Sequence, residues 1–116
     1  MSINAILPEV YTFLDFTRHA LRTARKKGQN SYSAHLAGEV PEITLYSMPY
    51  NVYVPIREYL YDNKGATEEL IEWLENELMK PDYALKKVTI KESKVSVKRS
   101  FGRVRSYPQI DVTMEW

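Results

Sequence analysis

Between Lys86 and Trp116 the chain reads KKVTIKESKVSVKRSFGRVRSYPQIDVTMEW, and apolar residues alternate with polar ones through most of it. Val88 and Ile90, then Val95, Val97 and Phe101, then Ile110, Val112, Met114 and Trp116 each keep to one parity. A period of two over this length is the mark of a half-buried β ribbon, because successive side chains on a strand point to opposite faces. Any fold for the chain must therefore cover one side of a long hairpin. The reversals are expected at Glu92-Ser93-Lys94 and near Gly102, where the parity slips and glycine supplies either a bulge or a tight turn. Tyr107-Pro108 then leads into a last strand, Ile110 to Trp116, whose terminal tryptophan is expected to be tied into the sheet.

Helices supply the cover. Pro8-Glu9 is a helix-start signal, since proline fits the first turn and an acid there complements the dipole. Val10, Leu14, Thr17, Leu21 and Ala24 recur at spacings of three and four, with Phe13, Phe16 and Ala20 widening the stripe. This helix is expected to end near Lys27, with Gly28 as its cap. A second helix is expected from Thr67 as N-cap to Lys80, stopped by Pro81, with Leu70, Ile71, Trp73, Leu74 and Leu78 on its apolar face. Gln29 to Val40 is polar, glycine-containing and aperiodic, and reads as a loop. Glu42 to Tyr46 alternates as a strand, and Met48-Pro49-Tyr50-Asn51 reads as a turn. Val52 to Tyr61 reads as a strand by parity, although Glu58 spoils the pattern. Pro55 makes it either an edge strand broken at the proline or a strand followed by a helical turn. Asp62-Asn63-Lys64-Gly65 is a turn. The expectation is a single α+β domain over residues 1–116, a small and mostly antiparallel sheet with two helices packed on it and a long C-terminal β-hairpin.

Composition narrows the function. At 116 residues and 44% hydrophobic content the chain can bury one core without staples. There is no cysteine, which removes disulfides and thiolate metal sites and fits a reducing compartment. Without an apolar run of about 18 residues or a signal-peptide pattern at the N-terminus, a soluble intracellular protein is expected, with no membrane partner. Nine tyrosines suit either a half-wet subunit interface or the rim of a small core. No Ser/His/Asp or Cys/His arrangement and no glycine-rich phosphate loop is present, and the two histidines, His19 and His35, lack ligand spacing. No catalytic residue, metal, cofactor or small-molecule substrate is expected, and the chain is read as a non-enzyme.

Charge is the informative feature. The formal total is only +1, but it is unevenly distributed. Thr67 to Lys80 carries five acids and one base, a net of −4, and Lys86 to Arg105 carries eight bases and one acid, a net of +7. These surfaces can neutralise one another within a subunit, meet head to tail between subunits and close a ring, or leave the ribbon for nucleic acid. On the intersubunit reading the contact residues are Lys98, Arg99, Phe101, Arg103, Arg105 and Tyr107 against Glu68, Glu72 and Glu75. On the nucleic-acid reading, that of a small α+β module using the basic ribbon 86–105, they are Arg22, Arg25, Lys26, Lys98, Arg99, Arg103 and Arg105. The basic cluster Arg18, His19, Arg22, Arg25, Lys26 and Lys27 on the last turns of the first helix reads either as a phosphate-binding patch or as dipole complementation at a solvated helix end.

The order of elements, with Val52 to Tyr61 running into Asp62-Asn63-Lys64-Gly65, the helix Thr67 to Lys80, and Arg103-Val104-Arg105 before the final strand, resembles the small tail-terminator and head-to-tail joining proteins of long-tailed bacteriophages. That resemblance covers Glu42 onward plus the first helix. It implies a virion structural component, assembled in the host cytoplasm as a homo-oligomeric ring, that caps the tail tube and offers a docking surface to the head-side connector, with DNA as a further possible partner. Pro55 and the long 29–40 segment depart from the pattern.

Overall fold

The computed structural model describes residues 3–38, 50–98 and 100–116. A turn of 3₁₀ helix, Ile3–Ile6, leads into helix α1 (Leu7–Lys26); strand β1 (Ser31–Ala37) follows, then helices α2 (Tyr50–Asp62) and α3 (Ala66–Leu78), and the long strands β2 (Lys87–Lys98) and β3 (Val104–Glu115). The three strands form one antiparallel sheet in the order β1-β3-β2. This is an α+β fold with a C-terminal hairpin, as the residue pattern indicated.

The first helix follows its stripe. Val10, Phe13, Leu14, Thr17, Leu21 and Ala24 are buried. Its end is closed by Gln29 N–H donating to Ala24 O at 3.0 Å and Gly28 N–H to Arg25 O at 3.0 Å, the paired bonds of a Schellman cap. On β3 the even positions Ile110, Val112 and Met114 are fully buried against the helices, while Asp111, Thr113 and Glu115 lie on the outer face. A polar ladder crosses that outer face. Ser33 Oγ and Thr113 Oγ1 lie 3.2 Å apart, and Asp111 accepts from Ser93 Oγ at 2.8 Å and Gln109 Nε2 at 2.9 Å. Leu70, Leu74 and Leu78 complete the core from α3, each fully buried, and burial of side chains of this size is worth about 1.5–3 kcal/mol apiece.

Several expectations are corrected. Residues 31–37 form a strand where a loop was expected, because Tyr32, Ala34 and Leu36 face the core in register with Met114, Val112 and Ile110. Their alternation with Ser31, Ser33 and His35 is short, and it needs the open edge of β3 to become a strand. Residues 52–61 form a helix, so three helices cover the sheet. Val52, Tyr53, Ile56, Arg57 and Leu60 are the buried positions, a helical spacing that the even-numbered parity hid, and Pro55 removes a single backbone donor from the helix. Thr67 is not an N-cap; Gly65 occupies that position and Thr67 lies buried inside α3. Glu92-Ser93-Lys94 is no reversal either, since β2 pairs with β3 without interruption from Lys87↔Glu115 to Lys98↔Val104. The turn is at Ser100–Gly102, where Gly102 has φ 74°. The expected strand Glu42 to Tyr46 and the turn residues Met48 and Pro49 lie outside the described residues, while Tyr50 and Asn51 open α2.

Within the hairpin the inward parity also changes, from Val88 and Ile90 to Val95 and Val97 along β2. Tyr107 is buried although it lies on the opposite parity to Ile110, and it faces Val95. Two-stranded ribbons twist strongly, so the side of the hairpin turned toward the helices changes between its base and its far half. Val88, Ile90, Val95 and Val97, expected in the core, are all only half-buried along β2.

Candidate interaction surface

β1 pairs with β3 only from Gln109 to Glu115. Beyond that point, from Lys94↔Pro108 to Lys98↔Val104, the hairpin continues as two strands, an arm about 17 Å long at the usual rise per residue. At its tip the Phe101 side chain is completely exposed, with a relative exposure of 101%, and its backbone is left-handed at φ 65°. A bulky non-glycine residue in that region is uncommon and strained. Val104 beside it is 64% exposed, and Lys98 and Arg103 also point to solvent. Arg99 lies outside the described residues.

Arg105 and Tyr107, expected on the same contact surface, are used within the chain instead. Tyr107 is fully buried, its hydroxyl donates to Glu58 Oε1 at 3.1 Å, and its ring lies under the Arg57 guanidinium at 4.5 Å and beside the Tyr61 ring at 5.2 Å. Arg105 reaches Glu58 Oε2 at 3.5 Å, donates to the Tyr107 hydroxyl at 3.4 Å and sits 4.6 Å above the Tyr61 ring. Burial works against the Arg105 charge, but the Tyr107 hydrogen bond and the nearby Tyr61 and Glu58 outweigh it and hold the guanidinium above its ordinary value. These contacts clasp the root of the arm to α2. Sequence reasoning missed Arg57 and Glu58 as parts of this clasp; the available signal was an Arg-Glu pair inside an otherwise apolar helical stretch, a setting in which charges need partners.

The acidic set divides in the same way. Glu69 accepts from Ile3 N–H at 3.2 Å and Glu77 pairs with Lys80 at 2.8 Å. Glu68, Glu72 and Glu75 are exposed on α3. Among the described residues, no ion pair within 4 Å joins these three to Lys87, Lys91, Lys94, Lys98 or Arg103.

The residues of the nucleic-acid reading are not brought together. Arg25 Nη2 donates to Tyr83 O at 2.6 Å and to Ala84 O at 3.2 Å, and the guanidinium lies 5.0 Å over the Trp116 ring, at the base end of β3. Lys98, which ends β2, and Arg103, just before β3, are at the other end of the hairpin, roughly 37 Å away along it. Arg22 and Lys26 stay exposed on α1, while Arg25 is half-buried. Among the described residues no group of three His, Asp or Glu side chains is placed to hold a metal ion, and no helix is long and apolar enough to cross a membrane. No family model matches the chain, and neither a curated protein nor a solved structure does so.

Proposed function

We propose that the chain is a non-enzymatic virion subunit of the tail-terminator or head-to-tail joining kind, acting as a homo-oligomeric ring against a tail tube and a connector. One observation carries this reading. The arm presents a bare Phe101 between Lys98 and Arg103, and α3 presents Glu68, Glu72 and Glu75, with neither set paired across to the other in its own subunit. Opposite surfaces on one subunit are what a head-to-tail contact requires, and such contacts repeated about an axis close into a ring. An exposed aromatic flanked by charge suits the centre of such a contact, where aromatic and arginine side chains carry most of the affinity.

The alternative, a small nucleic-acid-binding module using the ribbon 86–105, finds less support. It asks the α1 arginines and the tip cations to share one surface, and they lie at opposite ends of β3.

The test is charge reversal with rescue. Light scattering and sedimentation of the protein, alone and with purified tail tubes as template, should show ring-sized assemblies that weaken at high salt. Arg103→Glu should abolish them, and Arg103→Glu combined with Glu72→Arg and Glu75→Arg should restore them. Assembly that survives Arg103→Glu sinks the arm as the intersubunit contact. A strict monomer that fails to bind tail tubes and binds DNA through Lys98 and Arg103 with a steep salt dependence supports the ribbon reading instead.

A further inference from the structure

A second cationic feature lies far from the arm. Arg18, Arg22 and Arg25 stand at positions i, i+4 and i+7 of α1 and so share one face of the helix. Together with Leu21, Asp82 and Tyr83 they line a depression of about 260 Å³ between α1 and the 3₁₀ turn Pro81–Tyr83. Two of the three guanidiniums are already held in place. Arg18 sits 5.0 Å over the Tyr83 ring, and Arg25 is fixed by the Tyr83 and Ala84 carbonyls through Nη2, which leaves its Nε and Nη1 donors available. Arg22 is exposed and makes no hydrogen bond or ion pair with the described residues. The Tyr83 hydroxyl is buried, and the Arg18 cation beside it partly offsets the effect of that burial. Against three cations the lining has one acid, Asp82.

We propose that this depression binds a phosphate group, gripped by Arg22 and the fixed pair Arg18 and Arg25. Guanidinium forks match the geometry of phosphate oxygens better than any other side chain, and two of the three are ordered before a ligand arrives. A helix C-terminus normally repels anions, but here the last carbonyls are engaged: Thr23 O by Lys27 N–H, Ala24 O by Gln29 N–H and Arg25 O by Gly28 N–H. The ring reading neither requires nor supplies this site.

The experiment uses inorganic phosphate and a short DNA duplex, two sources of the same group. Phosphate should raise the melting temperature of the full chain, and Arg22→Ala should lose most of that rise without lowering the starting stability, because Arg22 is exposed and has no hydrogen-bond or ion-pair partner among the described residues. Phosphate also stabilises proteins non-specifically by exclusion from their surface, so the quantity read is the difference between the two proteins. Asp82→Asn should strengthen binding several-fold, and Arg103→Ala, at the arm tip, should leave it unchanged. Duplex binding followed by anisotropy should weaken in Arg22→Ala, with the slope of log affinity against log salt falling by about one. A phosphate-dependent difference without duplex binding assigns the site to a free phosphorylated compound. Equal melting shifts in the wild type, Arg22→Ala and Arg18→Ala, with duplex binding also unchanged, would overturn the site altogether.

Discussion

The two halves of the C-terminal hairpin are one uninterrupted ladder, yet they belong to different parts of the molecule. At the base, β3 has β2 on one side, β1 on the other and helices on its even face, and Ile110, Val112 and Met114 are fully buried. In the arm the third strand is gone, the helical cover has shrunk to the clasp on α2, and Val104 and Phe101 stand in solvent. Strand pairing is therefore indifferent to role. What covers a ribbon decides whether its apolar residues serve as core or as contact surface.

The largest expected difference comes from truncating one apolar residue in each half. Ile110→Ala should destabilise the protein by about 2–5 kcal/mol, the usual range for opening a cavity in a core, whereas Val104→Ala should stay within about 0.5 kcal/mol. Denaturant midpoints at constant m-value report both, and similar losses would erase the distinction between base and arm.

Two glycines give the next contrast. At Gly38, next to β1, φ is +68° and an added Cβ would come within 2.5 Å of Gln109 Oε1; at Gly102, in the arm turn, φ is +74° with open space around it. Gly38→Ala should therefore cost more than about 2 kcal/mol, and Gly102→Ala only the left-handed penalty of about 1–2 kcal/mol. The clasp should respond more weakly. Tyr107→Phe deletes the hydroxyl shared with Glu58 and Arg105 and should cost about 1 kcal/mol, with faster amide exchange in the arm and unchanged protection at the base.

At the base, burial pushes the Tyr53 hydroxyl up to about 12, with Tyr32 a lesser cause, while it donates to His35 O. The folded state thus favours the neutral phenol more than the unfolded chain does. That stability is complete below the ordinary tyrosine value of about 10 and drains away as pH rises toward about 12. Unfolding curves over this range should show the decline, and Tyr53→Phe should flatten it. Smallest of all, Phe101→Ser should leave stability within about 0.5 kcal/mol while weakening self-association. A large loss of stability would mean that the tip is structural.

The α+β class, α1 with its glycine cap, the apolar face of α3 and the last strand were legible in the residues, because in each the buried set repeats at the period of its own element and needs no distant partner to be read. Charge on α3 and the ribbon was legible too, as composition. Other features existed only once the chain had folded. β1 became a strand because β3 offered it an edge, and α2 became a helix because Val52, Tyr53, Ile56 and Leu60 had a core to enter, which outweighed the proline and the misleading alternation. The division of Lys98 to Tyr107 into an exposed tip and an inward clasp, with Arg103 unpaired among the described residues and Arg105 held by Glu58, was likewise a tertiary decision. Neighbouring residues in one strand meet whatever the twist of the ribbon turns toward them, and only the packed helices determine what that is.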